Sequence, residues 1–290
     1  MSIVARGYTR DVSATQIAQN LAFINWTVLT GLAFGTYAAV VLLRRRSMAT
    51  RGYLGFATAC AVGFGLLAWL SDGALPSTPG TSPIAVDPSF DIPRRVGLAA
   101  FCLLAVSGLI VRRARPKAAP AVELAALGAG VVTVAAGALG WGGGAVGALA
   151  LLIELAVLFA ATGGVFAAMV LGHWYLVTPK LPEAPLILLA RLLFAVVAVQ
   201  VGLFVAWVAT GAGPARAAPF SALTGPWALF VWLRLIVGLI FPLIVSWAAI
   251  QTARTRSMES ATGLLYINVG TIAAGTILAA GLYFGAGLLV

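Results

Sequence analysis

Four ionisable residues stand inside otherwise apolar stretches of this chain: Glu123, Glu154, Arg191 and Arg234. A charge at the centre of a lipid-embedded helix costs about 2.5 to 3.5 kcal/mol on insertion scales, so each must find a partner or serve a ligand. Glu154 lies about ten residues in from the outer end of its run, and Arg234 about nine in from the outer end of another. Equal depth lets a guanidinium and a carboxylate on neighbouring helices form a bidentate pair in which both stay charged. Such a pair is either structural, or one member faces a cavity and binds an anion, a carbonyl or a proton while the other holds it. Glu123 and Arg191 lie nearer the inner face, again at similar depth, where Arg191 can also snorkel to the headgroups. Trp227 and Phe241 each stand seven positions from Arg234, which on a regular helix puts all three on one face. That stripe suits a flat or anionic ligand, or plain helix packing.

The single histidine, His173, is followed by Trp174 and Tyr175 at the inner end of an apolar run. One histidine excludes a bis-histidine haem within the chain and His-built zinc or copper sites. Trp and Tyr at a headgroup boundary form the ordinary aromatic belt. The functional alternative is a lipophilic ligand site in which His173 and Tyr175 hydrogen-bond the ligand, Trp174 forms a flat wall, and Arg191 on the next span adds positive charge. A quinone meets these conditions, since its carbonyls need donors while its tail stays in the bilayer. Cys60 and Cys102 lie in apolar stretches without CxxC spacing and read as small core residues. No P-loop, HExxH or Asp-rich motif occurs, so no catalytic residue is assigned and neither a metal site nor a covalent cofactor is expected.

The elements that must position these residues follow from composition. Of 290 residues 61% are hydrophobic and 9% charged, and the mean hydropathy is +1.04, which describes a chain whose main solvent is lipid. Apolar runs fall at about 19–43, 52–73, 96–111, 120–140, 144–172, 184–210, 225–252 and 261–288. Each reaches or approaches the roughly 20 residues that cross a hydrocarbon core. The expectation is an all-α, polytopic integral membrane protein: one domain over 1–290, a bundle of eight transmembrane helices. The third run, the shortest, and the fourth, richest in Gly and Ala, are the softest, and a seven-span layout survives losing one. The N-terminus has no apolar region before a cleavage site, so the first run is expected to be a permanent span.

The net charge of +10 is not spread along a groove for nucleic acid; the basic residues bunch beyond the ends of apolar runs and read as topology signals. With the N-terminus outside, the inner segments hold eleven: Arg44, Arg45, Arg46, Arg51, Arg112, Arg113, Arg115, Lys117, Lys180, Arg254 and Arg256. The outer segments hold five, Arg6, Arg10, Arg94, Arg95 and Arg216. Positive charge stays inside, so both termini are expected on the outer face of a bacterial-type inner (plasma) membrane. Inner loops are short; the two longer outer ones, LPSTPGTSPIAVDPSFDIP and GAGPARAAPFSALTGP, serve as proline-stiffened connectors, lids or partner contacts. RRRSMATRGYLGF and RTRSMESATGLLYI share R-x-R-S-M at two inner junctions, by chance or by duplication of a helix pair. Small-residue pairs Gly31/Gly35 and Gly281/Gly285 allow close helix contact. Pro242 removes a backbone donor and is expected to kink its helix.

Three function classes fit. The first is a membrane subunit of a respiratory-type electron-transfer complex that offers a quinone site while partner subunits hold the redox centres. In helix count and charge placement, though through no motif, the chain resembles quinone-interacting anchor subunits of respiratory oxidoreductases. The second is a secondary transporter or channel for a small anionic or apolar solute, with Glu154 and Arg234 at the midplane and Pro242 as hinge. The third is a membrane enzyme of lipid chemistry or an assembly factor. Partners are then membrane lipids and either redox subunits or further copies of the chain.

Overall fold

Lipid offers no hydrogen bonds to a bare backbone, so runs this apolar must close their N–H and C=O groups within helices. The computed structural model describes residues 14–46, 49–76, 83–178 and 181–290, with side chains from Asn20 onward. Among these, eight helices are long and apolar enough to cross a membrane. They are α1 (Ala14–Arg46), α2 (Arg51–Asp72), α3 (Asp91–Ala114), α4 (Ala119–Trp141), α5 (Ala145–Val177), α6 (Ala184–Thr210), α7 (Ala228–Arg254) and α8 (Met258–Ala286). The two softest expectations, α3 and α4, are full helices of 24 and 23 residues. The helix ends follow local chemistry. Thr50 caps α2 by accepting from the Tyr53 N–H, prolines open α4 and α6, and Gly211, with φ of 64°, closes α6 in the left-handed conformation.

Helices α1 and α5 form the centre. α1 packs on α2, α5 and α8, and α5 on α1, α4, α6 and α8; α2–α4 flank one side, and α6 and α7 the other. The central crossing needs glycine. A Cβ on Gly35 would stand 2.9 Å from Gly163 Cα, and one on Gly163 2.2 Å from the Thr36 nitrogen. At this contact Thr36 Oγ1 donates to the Gly163 carbonyl at 3.2 Å. Near the C-terminal ends of α4 and α8 an aromatic cluster locks these helices to α1: Phe23 stacks on Phe284 at 4.5 Å, and Trp26 meets Trp141 edge-on at 4.9 Å.

The described parts of both long connections, between α2 and α3 and between α6 and α7, pack on helix ends. In the first, the Asp87 N–H bonds the Gly140 carbonyl, and Ile84 is buried in the core. Asp87 caps the short turn Pro88–Phe90, and the Ser89 hydroxyl and N–H on its carboxylate hold that group below the usual acid range. In the second, Leu289 donates to Ala212 and Ala215 to Gly287, clasping the C-terminal residues to the loop. The R-x-R-S-M echo falls at the α1–α2 and α7–α8 junctions, but Ser47 and Met48 lie outside the described residues, as do Arg6, Arg10 and Lys180.

Helix α7 is not regular. Its middle, Ile236–Ile240, is a π-helical turn that ends just before Pro242, and the Phe241 N–H reaches back five residues to the Ile236 carbonyl. Proline cannot supply the next helical N–H, and the chain widens where that donor is missing.

Candidate functional site

The charges of the apolar runs settle into separate networks at three levels. In the first, Arg234 Nη2 lies 3.7 Å from Glu154 Oε1, with side-chain exposures of 2% and 9%. The pair is not bidentate. Glu154 Oε2 instead accepts from Trp207 Nε1 at 3.1 Å, and Arg234 Nη1 donates to the Gly238 carbonyl at 3.3 Å. Arg234 Nε is buried without a partner among the described residues. The guanidinium occupies a notch made by two glycines, since a Cβ on Gly275 would stand 2.9 Å from Nη1 and 2.7 Å from Gly238 Cα. Beside it on α8, Thr276 shares a 2.8 Å hydrogen bond with Thr162 of α5.

The second network surrounds Glu123. Its Oε1 takes Arg44 Nη1 at 2.5 Å and Arg112 Nη2 at 2.6 Å, so one carboxylate near the start of α4 ties the C-terminal ends of α1 and α3 together. Arg44 also donates to Thr58 Oγ1 of α2 at 3.2 Å. The Tyr37 hydroxyl and Glu123 both border Gly108 of α3, where a Cβ would lie 3.6 Å from the hydroxyl and 3.7 Å from Glu123 Cγ. That hydroxyl is buried and unpartnered among the described residues. Glu123 and Arg191, which the sequence sets at similar depth, do not share a network. Arg191 is exposed on α6, and the carboxylate is taken by arginines of helices packed against its own.

The third network lies at the opposite end of α3 from Arg112. Arg94 is 2% exposed and donates to Asp72 Oδ1 and Asp91 Oδ1, both at 2.8 Å, with its guanidinium 4.8 Å from the centre of the Trp141 ring. It ties α3 to the end of α2 and is not a free topology charge.

Three cavities bear on these networks. A cleft of about 340 Å³ opens between α1, α3, α4 and α5, with Phe34, Phe101 and Phe159 among its walls. Its lining also includes Gly35, Ala38, Gly130, Val131, Ala156 and Ala160, of which Ala38, Val131, Ala156 and Ala160 are exposed. The Phe101 ring that lines it packs edge-on against Tyr37 at 5.4 Å. A vestibule of about 750 Å³ lies between the Gly142–Gly147 turn and the loop at Arg216, with Trp207 and Tyr283 in its walls. A void of about 10 Å³ adjoins Glu154, Thr27 and Tyr283.

The structure does not gather His173, Trp174, Tyr175 and Arg191. Consecutive helical residues point about 100° apart, so the first three face different neighbours. His173 is exposed, with Nδ1 3.3 Å from the Tyr266 hydroxyl of α8; Trp174 packs on Tyr53 and Phe56 of α2; buried Tyr175 donates to the Pro182 carbonyl. Among the described residues, His173, Trp174 and Arg191 are not in the lining of the pocket beside Tyr175, of about 320 Å³, which is bounded by Leu176, Leu181 and residues 256–259. The stripe of Trp227, Arg234 and Phe241 is likewise not formed. The π turn adds about one residue, roughly 100°, to the helical phase. Phe241 is therefore 44% exposed and Trp227, at the helix start, 43%, while Arg234 is 1% exposed.

The sequence reading passed over Arg44, Arg94 and Arg112, which sit at helix ends where positive charge is ordinary, and the acids Asp72 and Asp91. It also passed over neutral polar residues inside spans: Gln200, 3% exposed, and Asn268, fully buried and donating to Ser246 Oγ at 2.8 Å. Searching apolar runs for amides as well as charges would have found these two. Among the described residues no three of His, Cys, Asp and Glu come together as a metal site. No protein-family model, curated protein or solved structure matches this chain.

Proposed function

We propose that this chain is a multi-pass subunit of a bacterial-type inner membrane, with both termini outside, that holds a quinone for an electron-transfer complex whose redox centres lie in partner subunits. The observation that carries this reading is the apolar cleft between α1, α3, α4 and α5. Val131 stands twelve residues from the start of α4 and Ala156 eleven from the start of α5, so the cleft lies about 16–18 Å along helices that rise about 1.5 Å per residue. That is bilayer depth, where an isoprenoid tail resides. Aromatic rings suit a flat headgroup, and the exposed small residues at the rim leave a sideways path for the tail. Behind Phe101, the Tyr37 hydroxyl and the Glu123 cluster supply the hydrogen-bonding and proton-carrying groups that quinone chemistry needs.

The test is solvent extraction of the protein purified in mild detergent from native membranes. Quinone is expected in the wild type and in His173→Ala, and depleted in Val131→Trp and Ala160→Trp, which fill the cleft from its rim. Wild-type protein without quinone, or equal occupancy in the filled variants, would overturn the reading. Co-purification of haem or iron–sulfur proteins tests the assignment to a complex.

A further inference from the structure

We propose that Glu154 is a proton-binding site served from the outer face through the Trp207 wall of the vestibule. This inference is independent of the quinone reading and concerns the opposite half of the bundle. Trp207 belongs to two places at once: it lines the outer vestibule, and its Nε1 donates to Glu154 Oε2 at 3.1 Å. Tyr283 and Leu289 line both the vestibule and the void beside Glu154, so the two spaces share a wall one side chain thick. The void, about 10 Å³, is close to the smallest that holds a water, roughly 10–15 Å³. Water in the vestibule and one molecule in the void would bring a proton to the carboxylate with a single side chain between them.

The pairing around Glu154 suits exchange. A bidentate arginine would fix the acid in its ionised form; here Arg234 stands at 3.7 Å, beyond hydrogen-bond range, and is anchored separately by the Gly238 carbonyl. Arg234 therefore keeps its place whether Glu154 is charged or neutral. The groups facing the acid are Arg234 from α7, Trp207 from α6, Tyr283 from α8 and Thr27 from α1, while α5 itself presents Leu151, Leu155 and Leu158. Among the side chains only Arg234 is charged, the chain at Leu288–Val290 borders the same void, and the Trp207 N–H can donate to the carboxylate, which it favours, or to the carbonyl of the neutral acid. The step is one O–H bond formed on Glu154 with a proton taken from outer water, returned by the same route.

The test is infrared difference spectroscopy of the full chain in nanodiscs after pH steps. A carboxylic C=O band that appears on acidification in the wild type should persist in Glu183→Gln, at a partly exposed carboxylate, and vanish in Glu154→Gln. If Glu154→Gln alone does not fold, Glu154→Gln with Arg234→Gln removes both charges and serves instead. Ala150→Trp, which fills the vestibule beside Trp207, should keep the band and slow its appearance after a rapid pH jump at least several-fold. A band that survives in the Glu154 variants, or no band in the wild type at any pH at which it stays folded, would overturn the site. A rate unchanged in Ala150→Trp would overturn the outer route.

Discussion

Arg234 donates through Nη1 to the carbonyl of Gly238, one turn further along the same helix. In a regular α-helix that carbonyl accepts from residue 242, which here is proline. The missing backbone donor, the π turn and the arginine are thus parts of one local arrangement: the guanidinium supplies a hydrogen where the chain cannot. Gly275 on α8 leaves the room for it.

That room is tight. Gly275→Ala would set a Cβ 2.7 Å from Gly238 Cα and 2.9 Å from Arg234 Nη1, and overpacking of this kind costs about 1–3 kcal/mol. Gly270→Ala on the same helix meets nothing within 4 Å and should change stability by no more than about 0.5 kcal/mol. Thermal unfolding of the two variants in one detergent separates them, and equal losses would contradict the notch.

Breaking the Glu123 network should be costly and uneven. Glu123→Gln leaves Arg44 buried without its counter-ion, a change worth about 3–5 kcal/mol. Arg112→Gln should cost under about 1 kcal/mol, because its side chain is 39% exposed and solvated. A double-mutant cycle on Arg44 and Glu123 should return a coupling of about 0.5–3 kcal/mol.

The Arg94 network gives a second contrast. Asp72→Asn removes the buried partner of Arg94, 3% exposed, and should cost about 3 kcal/mol. Asp91→Asn, three residues from Arg94 and 30% exposed, should cost less than about 1 kcal/mol. Similar losses in unfolding experiments would show that burial does not set the strength of these pairs.

Alkaline phosphatase fused after Val290 should be active, and fused after Arg115 inactive, because the basic excess marks the untranslocated side. The reverse pattern would invert the protein and place the Glu154 vestibule on the inner face.

The sequence alone determined the number and approximate limits of the helices. Whether a stretch suits lipid depends on the hydropathy of about 20 consecutive residues and on a backbone that must bond to itself, and both are local. It also gave the depth of each buried charge, which is a count of residues from a helix end. Depth is one coordinate; rotation about the helix axis and the choice of neighbouring helix are others, and packing decided those. Glu123 meets Arg44 and Arg112 because α1 and α3 lie beside α4, while Arg191 at like depth faces outward on α6. Glu154 and Arg234 are brought within 3.7 Å only by the packing of α5, α7 and α8, and the π turn, which no residue count reveals, carries Phe241 off the face of Arg234. Arg94 and Arg44 had the ordinary signature of charges at helix ends, and what buried them was the closure of hairpins over them, a property of the whole bundle.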